Sequence, residues 1–341
     1  MKFLTKIKLF LAFAVIIFIM IKFPQLTGLV IDNLGIDTDR ALPVPEEAAT
    51  PPTVYFSPNT NITEIFLQYI EDTKSTLYCA LYDIGETVEQ KLIEKSKTAD
   101  VRVVKDDETR EIALKNVKED GRGLMHNKFC IRDNYAVWTG SYNPTARGSL
   151  NNNNALIIYS NHLSKLYNEE FGEFWSQKFK LGERSKQPSV KINSHLYTVY
   201  FCPEDECAEK LYNTLIDAEK SIKFMTFSFT RTDYRDLLIE KSRRMPVSGI
   251  FEKTRINQGY EIYKYLNDTK TDNPELQLDL KLDENKYNFH HKVFIIDDEL
   301  VATGSFNPSK NADMYNDENL ILITDPVIVT RYLEEFDRLF S

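Results

Sequence analysis

His126-Asn127-Lys128-Phe129-Cys130-Ile131-Arg132-Asp133, continued by Gly140-Ser141-Tyr142-Asn143, recurs as His290-His291-Lys292-Val293-Phe294-Ile295-Ile296-Asp297 and Gly304-Ser305-Phe306-Asn307. Both copies read H-x-K-x4-D-x6-G-S-x-N, and they stand 164 residues apart in a chain of 341. A single match to such a spacing arises by chance; two in register mark a duplicated unit. Working outward, Thr53-Val54-Tyr55-Phe56-Ser57-Pro58 matches Thr198-Val199-Tyr200-Phe201-Cys202-Pro203 at an offset of 145. Tyr167-Asn168-Glu169-Glu170-Phe171 matches Tyr332-Leu333-Glu334-Glu335-Phe336 at an offset of 165. The offset grows before the second motif, so the second copy carries an insertion, placed between Glu261 and Asn288, where Asn273-Pro274 signals a loop.

Each copy alternates helical and extended patterns. Ile62, Ile65, Phe66, Tyr69 and Ile70 fall at helical spacing, as do Leu211, Leu215 and Ile216. Lys74 to Ala80, Val101 to Val104, Lys220 to Met225, Val247 to Phe251, Val293 to Ile296 and Leu320 to Ile323 read as strands. The fold class is therefore α/β: two repeats, each a mixed sheet flanked by helices. Two copies of one unit pack about a pseudo-twofold axis, which brings equivalent residues to one shared active site. The expected organisation is an N-terminal segment over 1–31, a proline-rich stalk over 32–52, repeats over 53–180 and 198–341, and a connector over 181–197.

Lys2, Lys6 and Lys8 precede a charge-free run from Leu9 to Ile21, and acids follow at Asp32, Asp37, Asp39, Glu46 and Glu47. That pattern fits an uncleaved transmembrane helix better than a cleaved signal, with the catalytic body outside the cytoplasm. Cys202 and Cys207 bracket four residues and could close a small disulfide loop; unpaired thiols are an equal alternative. A net charge of −9 argues against a protein that tracks nucleic acid by bulk electrostatics, while leaving room for a local basic cleft.

In H-x-K, the His and Lys are two apart, so on a strand they share a face. Cleaving a phosphodiester needs a nucleophile, a proton donor for the leaving oxygen, and positive charge around the phosphoryl oxygens. Two histidines can supply the first two; two lysines and two asparagines supply the third. This chemistry calls for no cofactor and no metal, and the sequence shows no clear Asp/Glu/His metal cluster.

The paired motif resembles that of the phospholipase D superfamily, and the likeness covers residues 53 to 341. The resemblance implies a covalent route in which one His attacks phosphorus and the other protonates the departing alcohol, then activates water or a second alcohol. On this chain it makes His126 and His290 the catalytic pair, with Lys128, Lys292, Asn143 and Asn307 on phosphate oxygens. Ser141, Ser305 and Asn154 are assigned to the substrate side, while Asp133 and Asp297 brace the turn after each motif strand.

In one respect the chain departs from the family. An acid is expected about fourteen residues after the glycine; Glu318 fills that place, whereas Asn154 stands there in the first copy. A carboxylate beside imidazole raises its pKa. The expectation is that Glu318 sits on His290 and makes it the general acid, leaving His126 as the neutral nucleophile.

His162, His195 and His291 read as structural. The basic run Arg231, Arg235, Lys241, Arg243, Arg244, Lys253 and Arg255 reads as solvated helix surface, the alternative being that some of these residues line the cleft. The function expected is a metal-independent phosphodiesterase that hydrolyses or transphosphatidylates phospholipid. The alternative is an endonuclease acting by the same mechanism; a non-catalytic phosphate-binding module is a third reading, which the intact histidines oppose. The partners expected are a phospholipid membrane or, as alternative substrate, nucleic acid. Two fused copies let the chain work as a monomer.

Overall fold

A computed structural model describes residues 43–121, 123–256 and 262–341. In the first half, β1 (Glu46–Glu47), β2 (Thr53–Ser57), α1 (Ile62–Glu71), β3 (Thr76–Leu81), α2 (Glu86–Lys95) and β4 (Asp100–Lys105) lead to β5 (Val117–Glu119) and β6 (Leu124–Met125). They are followed by β7 (Lys128–Arg132), β8 (Ala136–Gly140), β9 (Asn153–Tyr159) and α3 (Asn161–Trp175). The second half runs β10 (Ser189–Ile192), β11 (His195–Cys202), α4 (Cys207–Ile216), β12 (Ile222–Thr226), α5 (Thr232–Ser242) and β13 (Val247–Phe251). It ends with α6 (Ile262–Asp272), β14 (Leu278–Leu282), β15 (Lys292–Ile296), β16 (Leu300–Gly304), α7 (Lys310–Met314), β17 (Asn316–Ile323) and α8 (Pro326–Phe340).

The two halves build the same sheet. The first has the order β2-β9-β8-β7-β3-β4-β5, and the second repeats it as β11-β17-β16-β15-β12-β13-β14. Within each, the motif strand pairs antiparallel with its central neighbour, Lys128 against Leu81 and Lys292 against Thr226. The next two strands run parallel, so the sheets are mixed as expected. β8 and β15 are buried at every position, which is why their sequences read as continuous apolar runs.

Three apolar clusters hold the layers. One joins α1 and α2 to the outer face of the first sheet through Phe66, Tyr69, Val88 and Leu92. Another packs α4 and α5 on the second sheet through Leu211, Leu215, Tyr234 and Leu238. The third lies between the halves, where α3 contributes Leu166, Tyr167 and Phe171, and α8 contributes Ile328, Tyr332 and Phe336. Two polar bridges cross this central layer. Asn154 Oδ1 accepts from Thr303 Oγ1 and Tyr332 Oη, and Asn319 Nδ2 donates to Thr139 Oγ1 and Tyr167 Oη. Each asparagine thus reaches a threonine and a tyrosine of the opposite half, a pseudo-twofold pair of satisfied buried amides.

The four cysteines form two pairs, Cys79–Cys130 and Cys202–Cys207. Cys79 and Cys130 face each other on β3 and β7. At the matching place in the second sheet, Phe224 and Phe294 are in register, with ring centroids 5.8 Å apart.

Several boundaries differ from the sequence reading. Of the stalk expected over 32–52, residues from Val44 onward belong to the compact unit, and residues 32–42 lie outside the described residues. Glu46 and Glu47 pair in parallel with Lys191 and Ile192, and Ala49 N–H donates to Asn193 Oδ1. The connector over 181–197 is itself structured, because Ser189 to Ile192 form a hairpin with the start of β11. The insertion in the second half is a helix and a longer edge strand, α6 and β14, where the first half has only β5. The expected N-terminal transmembrane helix over 1–31 lies outside the described residues; among those described, no helix is long and apolar enough to cross a membrane.

The central cluster makes the halves one cooperative body. Phe201 of the second half packs on Phe129 and Tyr167 of the first, at ring-centroid distances of 6.3 and 5.1 Å. Replacing Phe201 by Ala should cost about 3–5 kcal/mol. Both tryptophans, Trp138 and Trp175, belong to the first half. A urea titration followed by their fluorescence should shift as far as one followed by circular dichroism; an unmoved tryptophan transition would show that the halves unfold separately.

Candidate active site

The motif strands begin at Lys128 and Lys292, so each histidine sits two residues ahead of its strand rather than on it. What holds the histidines is the opposite half. His126 N–H donates to the Asp317 carbonyl at 3.0 Å, and His290 N–H donates to the Asn152 carbonyl at 2.9 Å. β6 extends this contact by pairing Leu124 and Met125 with Asn316 and Asp317. On the other side Asn152 bridges to Phe289. Two backbone crossings related by the pseudo-twofold axis therefore bring both motifs to one place.

The two motifs lie within electrostatic reach of each other: the Lys292 charge acts on His126, and the Lys128 and His126 charges act on His290. Each lysine donates to the carbonyl of its own motif histidine, Lys128 to that of His126 and Lys292 to that of His290, the latter at 2.9 Å. An aromatic ring lies over each pair. Tyr82 stands 5.3 Å from the His126 ring and 5.2 Å from Lys128 Nζ; Phe227 stands 4.8 Å from His290 and 5.0 Å from Lys292 Nζ. The Oδ1 atoms of Asn143 and Asn307 are buried without a hydrogen-bond partner among the described residues, in the turns beyond β8 and β16. Orphaned polar atoms beside buried cations are what a site built for a polar ligand presents.

The carboxylate is not where the sequence put it. Glu318 Oε2 lies 2.8 Å from Nδ1 of His126, across the interface, and not on His290. His290 Nδ1 instead faces Asn153 Oδ1 at 2.9 Å and the Ser141 carbonyl at 3.0 Å. The residue matching Glu318 is therefore Asn153, not Asn154. Ser141 N–H pairs with the Asn154 carbonyl, whereas Ser305 N–H pairs with that of Asn319, so the offset here is 165. One additional residue lies between Gly304 and Glu318, and a one-residue slip on a strand moves a side chain to the opposite face. Asn154 accordingly points away from the site, into the central layer.

Ser141 and Ser305, expected on the substrate side, take up main-chain contacts. Both hydroxyls are buried and accept main-chain N–H groups, from Asn154 and Asn319 respectively. Asp133 and Asp297 stay clear of the site: Asp133 accepts the N–H groups of Lys74, Ser75 and Thr76, and Asp297 those of Glu219, Lys220 and Ser221. His291 is buried with Nδ1 3.3 Å from the Asn154 amide and Nε2 3.7 Å from Glu335, so it serves the interior. His162 Nε2 faces the Gln187 carbonyl.

Burial sets the site's charges. It pushes His126 down to about 4, with Glu318 pulling the other way, and holds Lys128 at about 7. His290 is driven well below its ordinary value by burial, then by Lys292, Lys128 and His126. Lys292 is driven down by burial and by Lys128. Burial alone would raise Glu318; His126 and Lys128 outweigh it and keep the carboxyl below its usual range. Four bases suppressed together favour the arrival of negative charge, which a phosphodiester supplies.

Several residues here escaped the sequence reading. Tyr82 and Phe227 are related by the offset of 145 already visible at Thr53 and Thr198, so extending that alignment would have found them. Arg255, of the basic run read as solvated surface or cleft lining, stacks over Phe227 at 4.3 Å and acts on Lys292. Asp106 Oδ2 accepts Met125 N–H and Glu252 accepts Phe289 N–H, each just ahead of a motif histidine. Asp106, Asp107 and Asp120 come close enough to hold a cation, a grouping the sequence did not reveal. Oxygens of Asp106 and Asp120 are engaged by main-chain N–H groups and by Lys180, which gives them a structural task.

Comparison with known proteins agrees with this architecture. The family described as "Cardiolipin synthase, PLD-like domain" matches residues 66–175 and 211–340. A mitochondrial cardiolipin hydrolase from Chlamydomonas reinhardtii is 26% identical over 126 residues, covering 36% of this chain and 53% of that protein. A phospholipase D from Rickettsia conorii is 28% identical over 137 residues, covering 40% of this chain and 65% of that protein. The matches thus span between half and two thirds of these relatives. The phosphatidylserine synthase of Haemophilus influenzae Rd KW20 has the same fold, with a TM-score of 0.65 at 14% identity, covering 84% of this chain and 85% of that one.

The suppressed His126 has a consequence for stability. An unfolded His binds its proton near pH 6.5, and the folded one only near 4. Its neutral form is therefore compatible with the fold above pH 6.5, and stability is lost as pH falls from there towards 4. A His126→Gln variant lacks this term, and its unpaired Glu318 would favour the acid form, which acts in the same direction. Thermal unfolding should show the wild type losing ground to the variant as pH drops from 6.5 to 4. A difference that stays constant would contradict the buried neutral state.

Proposed function

Since the chain belongs to the PLD-like domain family matched over both its halves, we propose that it is a phosphoric diester hydrolase whose substrate is a phospholipid. The carrying observation is the meeting of both histidine–lysine pairs in one buried site, crossed by the Glu318–His126 hydrogen bond. The relatives named cardiolipin hydrolase and phospholipase D support a lipid diester. The net charge of −9 supports it too, because a polynucleotide track would need a basic surface.

In this mechanism His126 is the nucleophile. Glu318 accepts the Nδ1 proton, fixing the tautomer that leaves a lone pair on Nε2, and it stabilises the positive charge that grows on the ring as the N–P bond forms. The ground differs from the sequence expectation, in which Glu318 served His290. His290 bears its proton once the anionic diester offsets Lys128 and Lys292. Its amide partner Asn153 stabilises that proton less than a carboxylate would, which makes it a better donor. As the P–O bond to the leaving alcohol breaks, the His290 proton passes to that oxygen. His290 then takes a proton from water, or from an acceptor alcohol, whose oxygen displaces the phosphoryl group and frees His126. Lys128, Lys292 and the amides of Asn143 and Asn307 hold the phosphoryl oxygens. No step calls for a metal. The body works outside the cytoplasm, a placing supported by the acids that follow Ile21 and by two cysteine pairs.

The full chain, assayed with EDTA on phosphatidylglycerol or cardiolipin vesicles and on plasmid DNA, should turn over lipid; nicking without lipid turnover would establish the nuclease alternative instead. Glu318→Gln should lower kcat by roughly 100-fold or more with little change in KM. Acid-labile phosphoryl label trapped during turnover should map to His126, and label on His290 would reverse the roles.

A further inference from the structure

In each half, the chain leaves the G-S-x-N turn, forms a short helical segment and enters the strand that crosses to the other half. Two residues before the crossing stands an exposed apolar side chain: Leu150, 40% exposed, precedes Asn152, and Tyr315, 55% exposed, precedes Asp317. Asn152 and Asp317 are the residues whose carbonyls receive the two catalytic histidine N–H groups. Leu150 and Tyr315 are thus related by the same offset of 165 that relates Asn153 to Glu318. Met314, 50% exposed, adjoins Tyr315. Leu181, 77% exposed, follows Lys180, whose N–H donates to Asp317 Oδ1 at 2.7 Å.

Single exposed apolar side chains are ordinary on soluble proteins. Placement distinguishes these: Leu150 and Tyr315 occupy pseudo-twofold positions two residues from the groups that hold the histidine pair, Met314 adjoins Tyr315, and Leu181 follows the residue whose N–H binds Asp317. Neither packing nor chemistry inside the site needs them. Each segment also carries an exposed cation, Arg147 in the first and Lys310 in the second, and neither pairs with a carboxylate among the described residues. Exposed Leu, Met and Tyr interleaved with Lys and Arg is the composition of a surface that sits at a bilayer interface, the apolar groups entering the acyl boundary and the cations meeting anionic head groups. A groove for single-stranded nucleic acid would instead join several stacking rings along a basic track.

We infer that Leu150, Leu181, Met314 and Tyr315, flanked by Arg147 and Lys310, form a docking rim that seats the mouth of the active site on an anionic phospholipid surface. The rim rests on the lipid reading above and adds to it the way substrate reaches the site. A phosphodiester lies at head-group depth, so an enzyme that leaves its substrate in the bilayer has to bring the buried histidines down to that level. The apolar run Leu9 to Ile21, expected from the sequence to tether the chain to a bilayer, would keep the body nearby but would not orient it. The rim supplies the orientation.

The test compares two presentations of one lipid with the full chain. Wild type and a variant carrying Leu150→Ser, Leu181→Ser, Met314→Ser and Tyr315→Ser are assayed on short-chain phosphatidylglycerol below its micelle concentration and on long-chain phosphatidylglycerol vesicles. The variant should lose about tenfold or more on vesicles while staying within about twofold of wild type on the monomeric lipid. Arg147→Gln with Lys310→Gln should lower vesicle turnover further at low salt than at high salt. Equal loss on both presentations means the serines damage the fold or the site, and no loss on vesicles means the rim does not dock; either overturns the inference. Wild type that ignores both lipids and cleaves single-stranded DNA would defeat the substrate reading itself, and a loss of that cleavage in the serine variant would reassign the rim to nucleic acid.

Discussion

Two main-chain hydrogen bonds, from His126 to Asp317 and from His290 to Asn152, are the constraint on which the rest of the molecule turns. Each fixes a motif histidine of one half by the backbone of the other. Each half therefore relies on the other to place its histidine, and the two sheets approach with the pseudo-twofold relation that satisfies both bonds at once. The central apolar layer and the crossed Asn154 and Asn319 bridges provide that approach. Position comes from the partner half, whereas charge comes from burial: desolvation leads the causes for His126, His290, Lys128 and Lys292 alike.

Symmetry of frame and asymmetry of chemistry coexist here because they live on different atoms. The frame is backbone, so it repeats wherever the strand register repeats. The chemistry depends on which side chain the register presents, and there a carboxylate faces one ring and an amide the other. The proposed displacement asks two different things of the histidines, namely to bear a bond to phosphorus and to release a proton. A duplicated fold is free to specialise its copies one position at a time, provided the main-chain crossings are kept.

Much of this was legible in the sequence. The repeated motif gave the duplication, the strand-rich runs gave the mixed sheets, and the residue types gave the phosphodiester chemistry. What was not legible has specific physical causes. Counting from the glycine assigned Asn154 to the place of Glu318, because the additional residue in the second copy lies in the α7 turn, where no motif marks a gap; alternation along a strand turned that slip into the wrong face. Counting along one chain also could not tell that Glu318 would meet the histidine of the opposite half, since partners across an interface have no sequence spacing. Val44 to Pro52 read as a stalk by its prolines, yet Glu46 and Glu47 found an open sheet edge to join. Arg255 looked like one cation among many until the fold set it over Phe227.

The strand that bears Lys128 is fastened to its neighbour by the Cys79–Cys130 bond, whereas its counterpart relies on the contact of Phe224 with Phe294. One fastening is covalent and answers to the electron potential of the surroundings; the other is a matter of packing and does not. In a thiol-rich compartment the strand that bears Lys128 would lose its fastening, whereas the strand that bears Lys292 would keep its own. The duplication that shares one reaction between two copies also leaves them with unequal dependence on where the protein resides.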